Sequence, residues 1–86
     1  MIRHVPATVT VLLFSALRDR AGRDVVEVTV PEGTPVAGVW PWLPEEIRRD
    51  EAPGGVRYAR NDDWADPQTP VADGDRVALM LPVSGG

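Results

Sequence analysis

The run Thr8-Val9-Thr10-Val11-Leu12-Leu13-Phe14-Ser15 limits the possible folds more than any other segment. It is β-branched and apolar throughout, the pattern of a strand largely covered on both faces. Val9, Val11 and Leu13 point one way, and Leu12 and Phe14 the other. An 86-residue chain with 43% hydrophobic content and no cysteine has a single modest core with which to cover such a strand. Disulfide scaffolds, thiolate zinc sites and cysteine nucleophiles are excluded on this chain.

The remaining elements follow from periodicity and punctuation. Residues 1–7 lack a pattern and read as a loose N-terminal extension. Leu17 to Gly22 reads as a polar turn ended by glycine. Asp24 to Val30 alternates as a second strand, forming a hairpin with the first. Pro31-Glu32-Gly33 breaks it, and Thr34-Pro35 starts a helix, with threonine capping and proline at the first helical position. Val36, Val39, Trp40 and Leu43 share its apolar face. Pro41 removes a backbone hydrogen bond inside that helix, so it is expected to be short or kinked. A second helical turn is expected from Pro44 through Asp50, with Glu45 paired to Arg48 or Arg49. After a loop at 51–55, Val56 to Arg60 reads as a short strand and Asn61 to Pro70 as an acidic, turn-rich segment. Asp73-Gly74-Asp75 is a tight turn into a last strand, Arg76 to Pro82, alternating Val77, Leu79 and Leu81 against Ala78 and Met80. The order strand, strand, helix, strand, strand gives an α+β sheet with one main helix packed across it.

The net charge of −4 argues against nucleic acid, whose binders need a basic footprint, and suits basic protein partners. All nine cationic side chains are arginine, so the chain offers no lysine to an acylating tail. The apolar run after Arg3 and His4 is interrupted by Thr10 and Ser15 and lacks a cleavage site, so no signal peptide is expected. No stretch is long enough to span a bilayer, and a cytoplasmic location is the default. His4, the single histidine, lies in the extension, away from any catalytic or metal constellation. Asp62, Asp63, Asp66, Asp73 and Asp75 do not have calcium-loop spacing and read as solvated turn carboxylates. No metal site and no bound cofactor are expected. Pro41-Trp42-Leu43-Pro44 matches a PxxP ligand literally, but its tryptophans are better used in the core.

The sequence ends Leu81-Pro82-Val83-Ser84-Gly85-Gly86. A terminal glycine is the least hindered acyl group a chain can offer. Val83 to Gly86 extend about 13–14 Å at roughly 3.3–3.6 Å per residue, enough to thread a narrow channel. Ser84 has no strand–turn–helix elbow around it and reads as a small residue that keeps the tail thin. These residues, together with Val11-Leu12-Leu13-Phe14, the Leu17-Arg18 turn, Asn61 and Asp73-Gly74-Asp75-Arg76-Val77-Ala78, resemble the ubiquitin-like sulfur-carrier subunits of molybdopterin synthase. The resemblance covers Thr8 to Gly86. Pro41 and Pro44 depart from the family helix, and Arg60 stands where the family has an apolar residue.

The resemblance implies a β-grasp domain over residues 8–82 and a Gly-Gly tail over 83–86. It implies that the chain catalyses nothing alone and acts in a heterotetramer with the large catalytic subunit. A glycine carboxylate is ionised at neutral pH and inert as an acyl donor. An ATP-consuming adenylyltransferase, similar to ubiquitin-activating enzymes, would convert the Gly86 carboxylate to an acyl-adenylate. A sulfurtransferase would supply the sulfur that displaces AMP and leaves a thiocarboxylate. Val83, Ser84 and Gly85 would thread the tail into the large subunit, where sulfur passes to cyclic pyranopterin monophosphate and builds the dithiolene. On such a sheet Phe14 and Met80 project from the face opposite the helix, with Trp64 beside them by the resemblance, as a docking face for the partner. Carriers for thiamine, tRNA thiolation or cysteine synthesis share this tail chemistry. A protein modifier forming isopeptide bonds, and a regulatory binding module with an idle tail, are further alternatives.

Overall fold

Period-two alternation in the first two strands organises the sheet. The computed structural model describes residues 5–48 and 54–82. β1 (Pro6–Leu13) pairs antiparallel with β2 (Val25–Pro31). β5 (Arg76–Met80) lies parallel to β1 on its other side. β3 (Arg57–Arg60) pairs antiparallel with β5 and with the short edge strand β4 (Asp63–Ala65). The order β2-β1-β5-β3-β4 is the mixed sheet of a β-grasp domain. Ala7, Val9, Val11 and Leu13 of β1, Val26, Val28 and Val30 of β2, and Val77 and Leu79 of β5 are buried on one face. The helical layer covers that face alone, so β1 is covered on one side rather than two: Leu12 is half-buried and Phe14 exposed.

The helical layer consists of short pieces. α1 (Ser15–Ala21) occupies the segment expected to be a polar turn. Leu17, fully buried, anchors it beneath the sheet, and the amide of Gly22, left-handed at φ 71, closes it on the Arg18 carbonyl. A 3-10 helix spans Val36–Trp42 and α2 spans Glu45–Arg48. Pro41 lies inside the 3-10 helix, whose pitch suits a segment unable to sustain α-helical hydrogen bonding. Val36, Val39, Trp40 and Leu43 are buried as their spacing requires. Thr34 does not cap this helix: its Oγ1 donates to the Pro31 carbonyl at 2.6 Å, and extended Pro35 precedes the first helical residue. Glu45 forms no ion pair with Arg48, whose buried Nε has no hydrogen-bond partner among the described residues; Arg49 and Asp50 lie outside the described residues. Instead Arg20 Nη1 donates to the Ile47 carbonyl at 3.1 Å, linking α1 to α2.

Two boundaries and one burial expectation also shift. Pro6 and Ala7 belong to β1 rather than to an N-terminal extension, because Ala7 is fully buried and the Val5 carbonyl accepts from Glu32 across the β1–β2 pair. The acidic segment after Asn61 contains β4, set up by consecutive left-handed residues Asn61 (φ 49) and Asp62 (φ 73), the backbone of a two-residue hairpin turn. Trp42 is half exposed, unlike buried Trp40. Among the described residues no helix is long and apolar enough to cross a membrane.

Candidate docking face and tail root

The face of the sheet opposite the helices carries a row of apolar residues running across all five strands. Register places Val25 beside Leu12, Leu12 beside Ala78, Ala78 beside Ala59, and Ala59 beside Trp64. Ala78 and Ala59 form a low floor in the middle. Trp64 at one edge is 68% exposed, and Val25 at the other 45%. The next positions along β1 and β5 bring Phe14 and Met80 alongside this row. Phe14, Trp64 and Met80 together line two adjoining depressions, of about 580 and 310 Å³. The three residues singled out in the sequence therefore do share one surface.

Local backbone explains how each is presented. Phe14 is extended where β1 gives way to α1. Ser15 then turns left-handed (φ 45), so Leu17 goes under the core while Phe14 stays on the open face. Trp64 is carried by the tight β3–β4 hairpin. That hairpin is held from the opposite side of the sheet by Asp75, only 7% exposed. Asp75 Oδ2 accepts from Arg60 Nε and from the Ala72 amide, each at 2.8 Å, and Oδ1 accepts from Asn61 Nδ2 at 3.0 Å. Asn61 Oδ1 in turn accepts from the Arg76 amide at 2.9 Å. Burial alone disfavours the charged carboxylate, but the hydrogen bonds from Asn61, Ala72 and Arg60 and the Arg60 charge outweigh it, holding the Asp75 pKa below its ordinary value. Asp73 and Asp75 are thus structural: Asp73 Oδ1 accepts from the Thr8 amide at 2.7 Å, and Gly74 (φ 87) donates to the Thr8 carbonyl at 2.9 Å.

The apolar face runs to the root of the tail. Leu81 and Pro82 line the larger depression with Phe14, Trp64 and Met80, and Gly55 lines it beside them. Val83, Ser84, Gly85 and Gly86 lie outside the described residues. Periodicity sets Leu12 with Phe14 and Ala78 with Met80, but it gives no sign of Ala59, the other half of the floor, because an alanine in a short strand carries little periodic signal. Sequence reading also missed Arg57, whose guanidinium carbon sits 5.3 Å from the Trp64 ring centroid.

Comparison with known proteins bears on the family and the fold. A family model described as the ThiS family matches residues 11–86. The chain is similar to the putative molybdopterin converting factor, subunit 1, of Pyrococcus furiosus, at 30% identity over 90% of this chain and 99% of that one, with a TM-score of 0.66. It is similar to SAMP1 of Haloferax volcanii at 27% identity over 93% of this chain and 100% of that one, with a TM-score of 0.72. A chain from the complex of subunits 1 and 2 of the molybdopterin-converting factor of Helicobacter pylori shares the fold, at 24% identity over 92% of this chain and 99% of that one, with a TM-score of 0.56.

Proposed function

Because the chain belongs to the ThiS family, we propose that it is a ubiquitin-like sulfur carrier serving as the small subunit of a molybdopterin synthase. The observation that carries the proposal is the continuity of an exposed apolar sheet face with the root of the Gly-Gly tail. A carrier must be gripped by its body while its last residue is delivered elsewhere, and this layout separates the two tasks.

In this reading the Gly86 carboxylate attacks the α-phosphorus of ATP on an activating enzyme, releasing pyrophosphate and forming an acyl-adenylate. A persulfide on a sulfurtransferase attacks the acyl carbon and expels AMP, and a second thiol cleaves the resulting acyl disulfide, leaving a thiocarboxylate on Gly86 and a disulfide on the donor side. The body then docks on the large subunit through Phe14, Trp64 and Met80. Val83, Ser84 and Gly85, which lack bulky branches beyond the valine, thread the sulfur to cyclic pyranopterin monophosphate. Sulfur transfer and hydrolysis return the carboxylate for another cycle. The chain supplies no acid, base or metal to these steps, and a cytoplasmic setting would give it access to ATP. The Pyrococcus furiosus relative, named as subunit 1 of a converting factor, supports the partnership with a second subunit.

A second reading is favoured by the likeness to small archaeal modifier protein 1 of Haloferax volcanii, at 25% identity: the same tail could be joined to lysine amines of target proteins. Gene deletion separates the two. Loss of molybdoenzyme activity, restored when the finished cofactor is supplied to the purified apoenzyme, is expected of the synthase subunit. Normal cofactor levels, with Gly86 recovered mainly in isopeptide bonds, would select the modifier.

A further inference from the structure

The depression at the root of the tail is largely apolar, with Ser15 and Arg57 as the polar side chains of its lining. Phe14, Trp64, Met80, Leu81 and Pro82 line it, and Arg57 is the only charged residue among its lining. Arg57 belongs to this face by register, opposite Met80 and one pleat along β3 from Ala59. Its side chain is exposed. Among the described residues its guanidinium has no hydrogen bond or ion pair, and its contact with the Trp64 ring leaves its N–H donors without protein acceptors. The position is also contrary to the chain as a whole, whose net charge is −4.

We propose that the protein surface covering this face presents a carboxylate to Arg57, and that this pair selects the partner. The inference rests on the docking reading above. An apolar partner closing over the depression would strip water from a guanidinium with five N–H donors, and without an acceptor that desolvation opposes association. A carboxylate matches the planar fork of arginine with two parallel hydrogen bonds. Stacking on Trp64 restrains the guanidinium beforehand, so less freedom is lost when the pair forms. Arg57, with Arg76 and Asp62 lining the adjoining depression, does not make the basic footprint that nucleic acid needs on an acidic chain, which leaves a protein carboxylate as the acceptor. Partners lacking the acid are rejected by the same desolvation. The chain thus recognises its partner by an acid set within an apolar surface near the mouth of the channel that receives the tail.

The test is titration calorimetry of the full chain against the purified large subunit of a molybdopterin synthase, at low and high salt. Arg57→Ala should weaken binding roughly thirtyfold or more and flatten its salt dependence. Arg57→Glu should weaken it further, and Arg57→Lys should keep the salt dependence with part of the affinity. Unchanged thermal unfolding of each variant would place the effect at the interface. If Arg57→Ala and Arg57→Glu bind as the wild type does with the same salt response, the carboxylate pair is overturned while the docking reading stands. If the wild-type chain itself fails to bind, the docking reading falls, and this inference with it.

Discussion

Arg60 Nε donates to Asp75 Oδ2 at 2.8 Å, and this contact ties the end of β3 to the turn that starts β5. It forms on the helix side of the sheet, yet it steadies the hairpin that presents Trp64 on the other side. Removing the carboxylate strips partners from Arg60, Asn61 and the Ala72 amide together. Asp75→Ala should destabilise the domain by about 2–3 kcal/mol, the scale of hydrogen bonds to a charged group. Urea unfolding of the two proteins measures the difference, and equal midpoints and slopes would mean the cluster is incidental.

The same carboxylate sets an acid limit. Its folded pKa lies below its ordinary value, so folding favours the ionised form. Its contribution is complete above the ordinary aspartate pKa and disappears as pH falls through the lowered folded value. Stability should therefore decline in strongly acidic solution more steeply for the wild type than for Asp75→Asn. Thermal unfolding between about pH 2 and pH 6 reads the difference, and parallel curves would count against this assignment.

The open sheet face should carry binding without carrying stability. Phe14 and Trp64 are 45% and 68% exposed, so alanine there leaves no buried cavity. Each truncation at Phe14, Trp64 or Met80 that removes a central anchor should cost at least ~2 kcal/mol of affinity for the large subunit. Circular dichroism and unfolding should stay near wild type. A triple alanine variant with wild-type affinity would reduce the patch to ordinary surface.

Gly74 tests the other end of β1. With φ 87 and its amide bonded to the Thr8 carbonyl, it occupies backbone space that a β-carbon disfavours. Gly74→Ala should destabilise by about 1–2 kcal/mol, although the side chain would meet open space. A neutral result in denaturant unfolding would show that the turn relaxes freely.

Much of this was legible in residues with strong periodicity. Val9, Val11 and Leu13 against Val26, Val28 and Val30 define the β1–β2 pair and its buried face. Val36, Val39, Trp40 and Leu43 mark a helical segment, and Pro41 announces that it is not a regular α-helix. The failures have physical causes. α1 has a single buried residue, Leu17, so its seven residues look like a polar turn. β4 is three residues long and begins at Asp63, one of the acidic residues that made the segment read as turn. Leu12 and Phe14 suggested a covered second face because apolarity does not distinguish a core from a docking surface. Arg57 was silent in sequence because its meaning comes from lying across the sheet from Met80 and against the Trp64 ring. For Asp75, the Asp-Gly-Asp turn was visible, but its three hydrogen-bond donors converge only in the fold.

The carrier claim is tested most directly by the intact mass of the full chain after incubation with ATP, the activating enzyme and a sulfur donor. The account predicts one oxygen-to-sulfur exchange, mapped by fragmentation to Gly86 and absent when Gly86 is deleted from a chain that still folds. An unchanged mass in the full chain, or sulfur gained equally by the chain lacking Gly86, would contradict it.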